Sequence, residues 1–147
     1  MALHHFISYK GIYTQSVMSQ LPHIGVDLVR TARIARLHAK FGASFLQRAF
    51  HAREAATASS MPEPHAATFL ASRWAAKEAL HKAIRTKRLL FPEIAIQSGP
   101  RGAPEFFLHG AAHEWAVAQG LQTRLTLSHE GEYAVAFVIA ARANDDA

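Results

Sequence analysis

The feature that most restricts this chain's fold is a helical run that opens at the breaker MPEPHAAT and continues to about Arg85. Pro64 suits the first turn of such a helix, where a missing N–H goes unnoticed. Phe69, Ala76, Leu80, Ala83 and Ile84 recur at helical spacing and give the run an apolar face. The flanking segments can cover that face. EIAIQSG reads as a strand, GPRGAP as a turn cluster and EFFLH as the returning strand. GAAHEWAVAQG reads as a helix ended by Gly120, and TRLTLSH and EYAVAFVIA as a second hairpin joined at EG. Upstream, Ile24, Val26 and Leu28 alternate with Gly25 and Asp27, which is the period of a strand. TARIARLHAKF then places Ile34, Leu37 and Phe41 at helical spacing, as a stripe expected to face inward, with Gly42 as its end. ASFLQRAF and AREAATASS read as short helical pieces. One early strand followed by helices and two hairpins predicts an α+β fold with a mainly antiparallel sheet.

At 147 residues the chain is long enough to bury a core within one domain. It has no cysteine, which excludes disulfide scaffolds, thiol catalysis and cysteine-ligated zinc. Its ten histidines show no HExxH spacing. No apolar run approaches the ~18 residues of a membrane span. A formal charge of +5 and a pI near 10.0 favour anionic partners without choosing among nucleic acid, membrane, phosphorylated cofactor and acidic protein. The first acidic residue is Asp27. Residues 1–22 read as an extension, disordered or targeting, residues 23–140 as the folded domain and 141–147 as a tail. The acid-poor start sets the expected location as cytoplasm or mitochondrial matrix.

Chemistry gathers in SRWAAKEALHKAI, Ser72 to Ile84. Glu78 and Lys82 are one helical turn apart, with Trp74 and Arg85 nearby; Arg73 and Lys77 form a second such pair on a different edge. A solvated Glu–Lys pair is the plain alternative, worth a few tenths of a kcal/mol. Asp27 weighs against it. A carboxylate in an apolar strand is costly to bury unpaired, and is explained either as a cap at a strand end or as a hard ligand on a rigid element. Asp27 and Glu78 together suit magnesium, which takes one or two carboxylates and completes its shell with water and substrate phosphates. Lysines and arginines nearby would neutralise the remaining phosphate charge. His129, at the end of LTLSH, is a surface residue, an anion contact or a proton carrier.

These segments, in this order, resemble the holo-acyl-carrier-protein synthases, the small class of 4′-phosphopantetheinyl transferases. The motifs are IGVD (Ile24–Asp27), WAAKEALHK (Trp74–Lys82) and LTLSH (Leu125–His129), with FLQRAFHAREA and GAPEFFLHG between them. The likeness runs from about Ile24 to Ile139. It implies a mainly antiparallel sheet wrapped on a long central helix, and transfer of 4′-phosphopantetheine from coenzyme A to a serine of an apo acyl-carrier protein. Adenosine 3′,5′-bisphosphate would be the second product. By the same resemblance Asp27 and Glu78 would hold Mg²⁺, with Mn²⁺ able to substitute, and Asp27, Glu78 and Lys82 would be catalytic. Arg73, Lys77, Lys82 and His129 would hold coenzyme A, and the assembly would be a homotrimer. Phosphoryl transfer of this kind needs charge neutralisation and in-line positioning more than a covalent nucleophile. His51 stands where the family has threonine before Glu54, which predicts a weaker helix start there. RTKRLLF replaces a glycine-rich link.

Arg33, Arg36 and Lys40 lie three to four residues apart, hence along one side of the helix after Asp27. Family carrier proteins are acidic, so this side is expected to dock the carrier. The rival reading is a basic nucleic-acid-binding module. It accounts for the pI but not for Asp27 or Glu78, and neither an RNP-type aromatic pair nor a GxxG clamp is present. Neither nucleic acid nor membrane is expected as a partner.

Overall fold

The computed structural model describes residues 22–86 and 88–143. Most of the segments read from sequence as an N-terminal extension and a C-terminal tail lie outside these residues. The described chain runs β1 (His23–Arg30), α1 (Thr31–Ala49), α2 (Ala52–Ser59), α3 (His65–Ile84), β2 (Ile94–Ser98), β3 (Pro104–Leu108), α4 (Gly110–Ala118), β4 (Gln122–Glu130) and β5 (Tyr133–Ala141). A single 3₁₀ turn, Phe91–Glu93, leads into β2. All strand pairs are antiparallel. One sheet has the order β1-β5-β4 and the other is the β2-β3 hairpin. The α+β expectation, with a sheet wrapped on a long helix, is met. No helix among the described residues is long and apolar enough to cross a membrane.

Helix α3 is the centre of the molecule. Its buried residues extend around most of its circumference, from Ala66 to Ile84, and most of them are alanines. Small side chains let β1 and β5 lie close against it. The approach is tightest at Gly25, where a Cβ would sit 1.8 Å from the Ala79 carbonyl oxygen. Glycine is the residue that admits such backbone contact. The helix ends at Arg85, which adopts the left-handed conformation (φ 53°) and donates its N–H to the His81 carbonyl.

Helix α1 is a single span with a break inside it. Gly42 has φ 52° and ψ −131°, so the glycine read as a helix end is a kink between two helical pieces. The kink turns Phe41 outward. Ile34 is fully buried and Leu37 half-buried, but Phe41 is 51% exposed, contrary to the inward stripe expected. The basic side is as expected: Arg33, Arg36 and Lys40 are all exposed.

The faces of β1 are the main surprise. Gly25, Asp27 and Val29 point at α3, and the apolar Ile24, Val26 and Leu28 point away. Ile24, Val26 and Leu28 are 61%, 51% and 62% exposed. Register places Ile24 beside Ile139 and Val26 beside Phe137, both also exposed on β5. The outer face of the sheet is therefore a continuous apolar patch.

Candidate functional site

Asp27 lies on the helix-facing side of β1, two residues past Gly25. Because Gly25 seats the strand on Ala79 and Ala83, Asp27 comes within reach of the last turn of α3. Lys82 Nζ donates to Asp27 Oδ1 at 2.7 Å and to the Val26 carbonyl at 3.0 Å. Lys82 therefore does not pair with Glu78 one turn earlier. An acid 55 positions away wins over the in-helix neighbour, because it is preset on a rigid strand with only 16% of its side chain exposed. Glu78 is half-buried on the same edge of the helix. Among the described residues its carboxylate has no hydrogen bond or ion pair. Asp27 on β1 and Lys82 on α3 are thus joined, with Glu78 one helical turn before Lys82.

The second edge of α3 is different in kind. Lys77 is 0% exposed. Its ammonium donates to Glu54 Oε2 at 2.6 Å and to the carbonyls of Ala49 and Phe91, each at 3.1 Å. It also lies 5.0 Å from the centroid of the Phe50 ring. Burial pulls it from its ordinary 10.5 down to about 8, against the opposing pull of Glu54. Lys77 was expected to hold coenzyme A. In this chain its side chain is fully buried and its ammonium is committed to oxygens inside the core. Arg73, one turn earlier, is half-buried. Its guanidinium lies 3.9 Å from the Phe69 ring centroid, and its buried Nε lacks a protein partner. Burial lowers its pKa, with Glu54 opposing.

Trp74 belongs to the core. It stacks on Phe45 at 5.9 Å and meets Phe91 edge-on at 5.3 Å, while Arg33 of α1 covers it from outside at 5.8 Å. His129 is exposed near the end of β4. Register pairs His129 with Ala134 and Ala134 with Val29, so His129 shares the sheet face of Asp27. It stands two strands away, ~10 Å by ordinary strand spacing. The structure joins Asp27 to Lys82, with Glu78 on the adjacent helical turn, and makes no contact from these to His129 or Arg73 among the described residues.

Sequence reading underrated Glu54. Besides Lys77 it accepts the N–H of Ile96 at 3.0 Å and that of His51 at 3.1 Å. The capping signal around it was legible, but its partner 23 residues on was not. The helix start is also better made than the loss of threonine predicted. His51 Nδ1 accepts the Arg53 N–H at 3.2 Å and completes a capping box with Glu54. The His51 ring stacks on His109 at 4.3 Å. His81 reaches the Leu89 carbonyl at 2.8 Å and holds the RTKRLLF connection against α3.

Comparison with known proteins now decides the lineage. The family model described as the 4′-phosphopantetheinyl transferase superfamily matches residues 23–138. The chain belongs to that superfamily. The holo-[acyl-carrier-protein] synthase of Alkalilimnicola ehrlichii is 40% identical over 120 residues, covering 79% of this chain and 93% of that one. The crystal structure of the holo-[acyl-carrier-protein] synthase from Neisseria meningitidis superposes with a TM-score of 0.73 at 36% identity, over 81% of this chain and 97% of that one. The Helicobacter pylori synthase, crystallised with coenzyme A, superposes with a TM-score of 0.66 at 28% identity, over 80% and 99% of the two chains. The likeness to holo-[acyl-carrier-protein] synthases read from the motifs stands, and with it the assignment as a transferase of this family.

The histidine cap has a pH signature that a threonine of the family type would lack. Burial lowers the His51 pKa, helped by His109, Lys77 and Arg53 and opposed by Glu54. A lowered folded value favours the neutral ring, so its contribution is complete above the unfolded value of about 6.5 and is lost as pH falls through the folded value. Urea unfolding should show wild type losing stability relative to His51→Thr between pH 7.5 and pH 5. Parallel pH profiles for the two proteins would mean that the cap does not titrate in this range.

Proposed function

We propose that this chain transfers 4′-phosphopantetheine from coenzyme A to a serine hydroxyl of an apo acyl-carrier protein in a magnesium-dependent reaction. The observation that carries the proposal is the Asp27–Lys82 contact beside the unpartnered Glu78. The superfamily membership, the named synthases among its relatives and the coenzyme A complex of a structural neighbour support the same reading.

The donor set fits a hard divalent cation. Asp27 and Glu78 supply carboxylate oxygens. Among the described residues there is no cluster of three or more His, Cys, Asp or Glu that would enclose a metal. Magnesium takes one or two carboxylates and fills its shell with water and substrate phosphates. When bound there, Mg²⁺ supplies Lewis-acid stabilisation of the phosphate oxygens. The chain's own residues do the rest. Lys82, held on Asp27 and the Val26 carbonyl, presents an ammonium to the phosphates, and the serine proton is released to water as the new bond forms. Its charge is oriented beforehand, which is where electrostatic catalysis gains most. Arg73 and His129 flank this centre and bind coenzyme A from either side. In the transfer the serine oxygen bonds to the phosphorus that carries the pantetheine, and that phosphorus loses its bridging oxygen to adenosine 3′,5′-bisphosphate.

Two surfaces fit the partners. Arg33, Arg36 and Lys40 form an exposed basic side on α1, directly after the strand that holds Asp27, and meet the acidic carrier protein there. Charge complementarity of this kind acts mainly on association and weakens with salt. The exposed apolar face around Ile24, Val26, Phe137 and Ile139 is the contact through which the chain assembles as a homotrimer. An apolar surface of this extent is covered in most stable proteins.

The central test is to incubate the protein with coenzyme A, Mg²⁺ and an apo carrier protein and follow the carrier's mass. A gain of one phosphopantetheine group is expected. EDTA, Asp27→Asn and Glu78→Gln should each abolish it in a folded protein, and Lys82→Ala should lower kcat by ~10²-fold or more. Full activity in EDTA removes magnesium from the mechanism. Reversing the docking charge with Arg33→Glu and Arg36→Glu should raise the carrier KM by at least ~10-fold, with the coenzyme A KM unchanged. An unchanged carrier KM at low salt places docking elsewhere. Light scattering should give a trimer mass for wild type and a monomer mass for Val26→Glu; a monomeric wild type overturns the assembly.

A further inference from the structure

The motif WAAKEALHK contains a charge that the proposed reaction does not use. Lys77 immediately precedes Glu78 on α3 but points into the core, where its ammonium meets three oxygens from three parts of the chain. Glu54 lies in the first turn of α2, Ala49 ends α1, and Phe91 opens the 3₁₀ turn before β2. The remainder of the helix's buried surface is mostly alanine, with Leu70, Leu80 and Ile84 as its large apolar members. Ala71, Ala75, Ala76 and Ala79 are completely buried and present methyl groups to β1 and β5. Apolar contact of this kind is strong but non-directional. Hydrogen bonds are directional, and inside the core Lys77 is where this helix has them.

We infer that the Lys77–Glu54 pair is a register pin: it fixes the rotation and axial position of α3, and so aims Glu78 and Lys82 at Asp27. Lys77 is thus a positioning residue that never touches substrate. The Lys82–Asp27 contact constrains the helix less, because half of the lysine side chain stays in water. The pair is a means of specificity more than of net stability. Taking both charges out of water offsets most of their attraction, and uncharged replacement of a buried pair is often tolerated by the fold. The inference rests on the proposed metal-dependent reaction for its functional consequence, though not for its structural one.

The test replaces the pair by Lys77→Met with Glu54→Gln, which preserves volume and keeps an acceptor for the Ile96 N–H. Two measurements are made. Mn²⁺ binding in the presence of coenzyme A, read from the electron paramagnetic resonance signal of free Mn²⁺, should weaken by at least ~10-fold, as when an orienting outer partner of a metal ligand is lost. In metal-free protein, amide exchange over Ala79–Ile84 should accelerate by at least ~10-fold. The double variant should retain a wild-type far-ultraviolet dichroism spectrum and cooperative unfolding. A folded variant with unchanged exchange or unchanged Mn²⁺ affinity overturns the inference. So does a variant that does not fold, since the pair would then be holding the structure up and not aiming it. If wild type neither binds Mn²⁺ nor modifies a carrier while exchange in the variant still accelerates, the pin stands and the reaction proposed above falls.

Discussion

A lysine ammonium buried against a glutamate is the interaction on which the arrangement of this molecule depends. Glu54 alone accepts from Lys77, from the His51 N–H and from the Ile96 N–H. Through these bonds α2, α3 and the β2-β3 hairpin share one polar node, and Ala49 and Phe91 add the end of α1 and the turn before β2. The node is enclosed by Phe50 and Phe91, whose ring faces lie toward the ammonium. In such surroundings an unpaired charge would be far more costly than the pair. The node is therefore all-or-nothing, and each of its members constrains the others.

Around that node the molecule separates two uses of charge that look alike in sequence. Lys77 and Lys82 lie five residues apart in one motif, yet one is committed to oxygens of the core and the other is half in water beside Asp27. The difference is set by what each side of α3 packs against. One side meets the α1–α2 corner and its free carbonyls. The other meets the bare backbone of β1 at Gly25, which leaves room for Asp27 to lean in. A strand with any larger residue at that position would stand off from the helix and carry its carboxylate away with it.

Much of this was legible in the sequence, and the parts that were not share a physical cause. The long helix, both hairpins, the break at Gly42 and the exposed basic side of α1 follow from periodicity and from glycine and proline placement, which are local properties. The outward aim of Ile24, Val26 and Leu28 was not legible. Alternation says that a strand has two faces, but the face turned to the core is chosen by the helix it meets, and an alanine-rich helix selected Gly25 over the larger residues. Phe41 was misjudged because a stripe drawn on an ideal helix does not survive a kink one residue later. Glu78–Lys82 was a sound local pair that lost to Asp27, and Glu54–Lys77 could not be paired from spacing at all. Motif resemblance gave Lys77 a part in holding coenzyme A but could not show its burial, because a motif records which residues occur and not which way they turn.

The alanines of α3 have a consequence for how this chain can vary. At Ala71, Ala75, Ala76 and Ala79, all completely buried, the only smaller residue is glycine, which in a helix interior costs about 1 kcal/mol relative to alanine. Every other replacement adds atoms where strand and helix already touch, and overpacking costs roughly 1–3 kcal/mol. The centre of the molecule has almost no neutral neighbours in sequence space, whereas the outer residues of β4 and the exposed side of α2 are free to drift. Variation in this protein is thus pushed outward by the smallness of its interior side chains.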